Sequence, residues 1–116
     1  MSFSHKLPSG ITVMFREPRN ADRAKVLSLI KPGDKVQVDE VLAAYCLEGI
    51  RLPNGAAASM DPDPRYRMDP WTIKDSQTYV QLWLELFTLG EDEMKALREE
   101  AKKLLASESA PSMEEG

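Results

Sequence analysis

His5 is the only histidine and Cys46 the only cysteine among 116 residues, so most nucleophilic chemistry would have to pass through one of them. A Ser-His-Asp or Cys-His arrangement needs a base held against its nucleophile. His5 lies in a predicted strand just before a turn, in a context that activates nothing, and reads as an ordinary surface histidine. One cysteine excludes an intrachain disulfide, and a cysteine-based zinc site needs several partners. Asp61, Asp63 and Asp69 are the next candidates, as oxygen ligands for a divalent cation. A calcium loop wants ligands at alternate positions, a central glycine and a closing glutamate. Here prolines follow the aspartates, and the expectation is a solvated acidic loop. Gly10, Gly33, Gly49, Gly55 and Gly90 are scattered as turn and cap residues, with no phosphate-cradling motif. The residues therefore predict a protein that is not an enzyme, with no catalytic residue, cofactor or metal.

Nucleic-acid recognition fares little better. The formal net charge is −4, which gives no general attraction to nucleic acid or to anionic membranes. Residues 20–49 have the layout of a helix-turn-helix, whose second helix would enter the major groove. That helix reads DEVLAAYCLEG, with three acids and no lysine or arginine, and phosphate would repel it. Arg65 and Arg67 around Tyr66 form a basic-aromatic triplet, but the flanking aspartates favour a protein contact or a neutral loop. A small DNA-binding regulator stays as a minor alternative. Neither a signal peptide nor an apolar run long enough to span a membrane is visible, so the expected location is a reducing cytoplasm.

What remains is apolar surface, and the elements that position it follow from spacing. Hydrophobic residues make up 42% and charged residues 29% of the chain, a composition that supports one small domain, 1–106. The acidic tail 107–116 is expected to be disordered when unbound. Residues 3–16 predict a β-hairpin: Leu7-Pro8-Ser9-Gly10 is a turn, and Ile11, Val13 and Phe15 alternate with Thr12, Met14 and Arg16. An isolated hairpin is marginal in water, so this face must lean on helices or on another chain.

A helix is expected from an N-cap at Asn20 with Asp22 in its first turn, ending at Lys31-Pro32-Gly33-Asp34. Val36-Gln37-Val38 reads as a short extended link. Asp39 would cap a second helix, which leaves through Gly49. Residues 50–52 are compatible with a third strand. Residues 56–69 contain repeated Asp-Pro steps that oppose regular structure, and so long a connection is usually functional or mobile.

Trp71 to Leu89 holds both tryptophans and has helical spacing, with Tyr79, Val80, Trp83, Leu86 and Phe87 on one stripe and Asp75 on the polar side. Its start is expected at Asp69-Pro70. After Gly90, a last helix carries Met94, Leu97, Ala101, Leu104 and Leu105 on one face. The predicted fold class is α+β, mostly α: an N-terminal β-hairpin packed on about four helices, the last two an antiparallel helical hairpin. The apolar residues proposed for partner binding are Ile11, Val13, Phe15, Tyr66, Trp71, Trp83, Leu84 and Phe87, because buried aromatics are favoured interface anchors.

The hairpin and first helix, LPSGITVMFREPRNADR, resemble the small assembly proteins of tailed bacteriophages: tail assembly chaperones and baseplate-hub assembly proteins. The resemblance rests on Leu7-Pro8-Ser9-Gly10, Phe15-Arg16-Glu17-Pro18 and Asp22-Arg23. Trp71-Thr72-Ile73-Lys74-Asp75 through Phe87, Leu89 and Glu93 is similar to their closing aromatic helix pair. In layout it covers most of residues 5–100, but no frameshift-extended second domain can be located. The resemblance implies a non-enzymatic chaperone in the cytoplasm of a bacterial host. Its partner would be another tail or baseplate protein, such as a tape-measure, tube or hub component, and it could be a homo-oligomer. The alternative is a permanent structural subunit that stays in the virion.

Overall fold

The structure is a computed structural model that describes residues 2–34 and 37–115, with side chains through residue 107. Strands β1 (Ser2–Lys6) and β2 (Thr12–Arg16) form the N-terminal hairpin, antiparallel, with Phe3 opposite Phe15 and His5 opposite Val13. The turn closes through Leu7 N–H to Ile11 O at 2.8 Å and Gly10 N–H to Leu7 O at 2.9 Å. Gly10 sits at φ +101°, where a side chain would also press on Pro53, so the turn needs glycine there.

Helix α1 spans Asn20–Leu29 and α2 spans Val38–Tyr45. The cap of α1 is Arg19 rather than Asn20. Asp22, at the third helical position, accepts the Arg19 N–H at 2.9 Å and both terminal guanidinium nitrogens of Arg16 at 2.7 and 2.9 Å. Of the expected extended link, Val36 lies outside the described residues and Val38 is already helical.

Gly49 does not end α2. It lies inside β3 (Leu47–Arg51), which pairs antiparallel with β2 and completes a sheet of order β1-β2-β3. The register shifts between Met14 and Phe15, and Met14 Cε lies 2.8 Å from where a Cβ on Gly49 would be. Glycine here gives the end of the Met14 side chain room over the strand, and does not serve as a helix exit.

Helix α3 spans Ile73–Phe87, capped by Thr72, whose Oγ1 accepts the Asp75 N–H at 3.1 Å. The expected start at Asp69-Pro70 falls in a preceding turn, and the capping bond is made by Thr72 instead. Helix α4 spans Glu91–Glu115. Gly90 opens it rather than closing α3: its N–H donates to Glu93 Oε1 at 3.1 Å. The helix carries on through 107–115, which the sequence reading leaves unstructured; extending a helix needs no new nucleus. The class is α+β with half the chain helical, and α3 and α4 form a bent helical hairpin.

The core sits between the sheet and α3, with α2 and Val26 of α1 closing its side. Phe15 meets Tyr79 edge-on at 5.4 Å between ring centres. Phe3 stacks on Phe15 at 5.7 Å and meets Phe87 edge-on at 5.4 Å. The hairpin is thus supported by the chain's own aromatic helix. Tyr79 is fully buried, and its hydroxyl donates to Ala43 O at 2.7 Å; burial pushes its pKa well up, so it remains a neutral donor.

Candidate partner-binding cleft

Where α3 begins, the hairpin turn, β3 and the Asp-Pro segment enclose a cleft of about 770 Å³. Its apolar lining comes from Ile11, Ile50, Leu52, Met60, Tyr66 and Trp71. Trp71 is half-buried, with its ring edge-on to Tyr79 at 5.9 Å, while Tyr66 is 49% exposed. Ser9, Ser59, Asp61, Arg67, Thr72 and Asp75 complete the lining, and a concave apolar surface with polar groups set among it is how proteins hold and orient a partner.

Asp75 fixes one wall. It is 2% exposed; one carboxylate oxygen accepts the Ser9 N–H at 3.0 Å and the other accepts the Ser9 hydroxyl. The carboxylate thereby ties the first turn of α3 to the apex of the hairpin, across 66 residues of sequence. Helical periodicity assigns Asp75 to the solvent side, and no signal local to its own helix reveals a partner in the hairpin turn.

Arg67 lines the same cleft and holds the Asp-Pro segment in place, while Arg65 holds that segment from outside the cleft. Arg67 donates from Nη1 to Ala44 O at 3.0 Å, from Nε to Asp61 O at 2.7 Å, and from Nη2 to Pro62 O at 3.3 Å. It satisfies the open end of α2 and pins the loop in one stroke. Arg65 reaches Leu29 O at 3.2 Å and grips Asp63, with Nη2 to Oδ2 at 2.6 Å. That guanidinium holds the Asp63 carboxyl below the usual carboxylate range. Both cations are committed to the fold, so the Arg65-Tyr66-Arg67 triplet is a clasp. The strand side of the loop is held as well, through Leu52 N–H to Ala56 O and Ala58 N–H to Ile50 O, each 2.8 Å.

Of the eight residues proposed for partner binding, Ile11, Tyr66 and Trp71 meet at this cleft. Val13, Phe15 and Trp83 do not present a surface: each is at most 1% exposed. They are corrected to core residues, because α3 lies over β2 and takes up its inward face. Leu84 and Phe87 are half-buried, packed against the core and away from the cleft. The cleft also takes in Met60, whose Asp-Pro segment gives no periodicity from which to read a face, and Ile50 and Leu52, whose stretch is too short to assign one.

The residues first considered for chemistry are far from assembled. His5 is exposed on β1 and Cys46 is fully buried. Burial pushes the Cys46 thiol up to about 11, which keeps it protonated and a poor nucleophile. The buried Trp83 indole N–H lies beside this sulfur, a weak acceptor, and meets no stronger one among the described residues. Asp61 accepts the Asp63 N–H at 2.8 Å and so shapes the loop. A second cleft of about 630 Å³ lies between α2 and α3; Glu40, Arg65, Asp69 and Gln77 make it more mixed in character. Compared with known proteins, the chain matches no family model, no curated protein and no solved structure.

Proposed function

We propose that this protein is a non-enzymatic assembly chaperone of the kind that serves phage or prophage tails and baseplates, holding an apolar segment of another tail protein in the cleft beside Trp71. The observation that carries the binding half of this reading is the cleft itself: aromatic and aliphatic groups on walls held by Asp75 and Arg67. Rigid walls reduce the ordering cost of taking up a partner. The phage setting rests on the resemblance of the Leu7–Arg23 segment and of the closing helix pair.

The test is capture from infected or induced cells with wild-type protein and with Leu52→Asp and Met60→Asp. Wild type should retrieve a tube, tape-measure or hub component, and the variants should lose it while keeping their far-UV spectrum. Retrieval of no tail component would sink the proposal. Mass spectrometry of purified particles decides between chaperone and permanent subunit: a chaperone is scarce there, a subunit stoichiometric.

A further inference from the structure

Helix α4 exposes every described side chain from Glu91 to Ser107. Met94 is 42% exposed, Leu97 53% and Leu104 59%, with Ala101 between them on the same face. The steps of three, four and three residues are those of a heptad seam, with Met94 and Ala101 at one core position and Leu97 and Leu104 at the other. We propose that this seam pairs with the same seam of a second copy of the chain, in parallel, to form a short two-stranded coiled coil.

The flanking charges select the occupant and its direction. In a parallel pair, the residue just before one core position faces the partner residue five further along. Glu93 then faces Arg98 of the second copy, and the symmetry of the pair makes this contact twice. Glu93 holds the Gly90 N–H with Oε1, and Oε2 is the oxygen that meets the arginine. The antiparallel arrangement that aligns all four apolar layers instead places Arg98 against Arg98 and Glu100 against Glu100. Like charges so placed oppose it.

The length of the seam sets its strength. Met94 to Leu104 covers about 15 Å of helix, and the next two core positions are Glu108 and Pro111, which end it. Four layers make a weak, concentration-dependent dimer. The surface is separate from the partner cleft, so either assignment stands if the other fails.

The experiment is sedimentation equilibrium of the full chain over a wide concentration range, with circular dichroism on every variant. Wild type should move from monomer to dimer, and Leu97→Asp should remain monomeric with unchanged helicity. Arg98→Glu should weaken the dimer roughly tenfold, and Glu93→Arg combined with Arg98→Glu should recover most of that loss. Under mild oxidation, Ala101→Cys should form a covalent dimer, since parallel pairing sets residue 101 against itself, whereas wild type should not, its one thiol being buried. A monomer at every concentration overturns the proposal. So does a dimer indifferent to Leu97→Asp, or crosslinking between Leu97→Cys and Ala101→Cys chains in preference to Ala101→Cys with itself.

Discussion

Helices α3 and α4 both carry an apolar stripe at helical spacing, yet the first is covered except at Leu86, which is exposed, and the second lies open along its length. On α3 the stripe includes Tyr79 and Trp83, at most 1% exposed, and half-buried Phe87. On α4 it is Met94, Leu97, Ala101 and Leu104, all exposed. The difference lies in what each stripe can reach. The α3 stripe is aromatic, each ring covering about 150–250 Å², and the first turn of its helix is bonded to the hairpin through Asp75 and Ser9. The α4 stripe is aliphatic, follows the bend at Gly90, and has its charges placed to suit another helix. Periodicity identifies a face; long-range polar anchors decide whether the fold itself covers it.

The largest expected effect breaks the comparison at its buried side. Trp83→Ala should cost about 3–5 kcal/mol, read by urea denaturation. Leu97→Ala, measured at a concentration where the protein is monomeric, should shift the same curve by no more than about 0.5 kcal/mol. Equal losses would mean that α4 is packed in solution. Next is the anchor: Asp75→Ala leaves the Ser9 N–H without its acceptor and should cost about 1–3 kcal/mol. A double-mutant cycle with Ser9→Ala should recover part of that as coupling energy.

Arg67→Ala should cost about 1.5–3 kcal/mol, the range for hydrogen bonds from a charged donor. Limited proteolysis should then cut within residues 56–69, which wild type protects. The smallest effect is the acid limb of stability. Arg16, through two hydrogen bonds to its carboxylate, holds the Asp22 pKa below its ordinary 3.8. The folded state therefore binds this proton less readily than the unfolded chain. The stabilisation is present above about pH 4 and is lost as pH falls through the lowered folded value. Asp22→Asn should flatten that limb in denaturation curves taken between pH 5 and pH 2, and an unchanged slope would discount the pair.

Much of the architecture is legible in single segments. Pro8 and Gly10 announce the hairpin turn, the alternation around Val13 and Phe15 announces β2, and residues 50–52 fall inside or just beyond β3. Spacing leaves open whether the hairpin face leans on a helix or on another chain, and it is α3 that buries Val13 and Phe15. What is not legible depends on partners distant in sequence. Asp75 looks like a solvent-facing acid until Ser9 is brought to it, and Gly49 looks like a helix exit until Met14 fills the space beside it. Arg65 and Arg67 resemble a ligand-seeking pair until the carbonyls of Leu29 and Ala44 engage them. The cleft is the least legible of all: its lining comes from the hairpin, β3, the Asp-Pro segment and the start of α3, and no one stretch carries its pattern.

The bond between Ser9 and Asp75 spans 66 residues, and that separation has a temporal meaning during synthesis. At translation speeds of about 5–20 residues per second, the hairpin leaves the ribosome roughly 3–13 s before the helix that shields it. For that interval Val13 and Phe15 face water or whatever protein is nearby. Until α3 arrives, that face of the hairpin depends on its surroundings for cover.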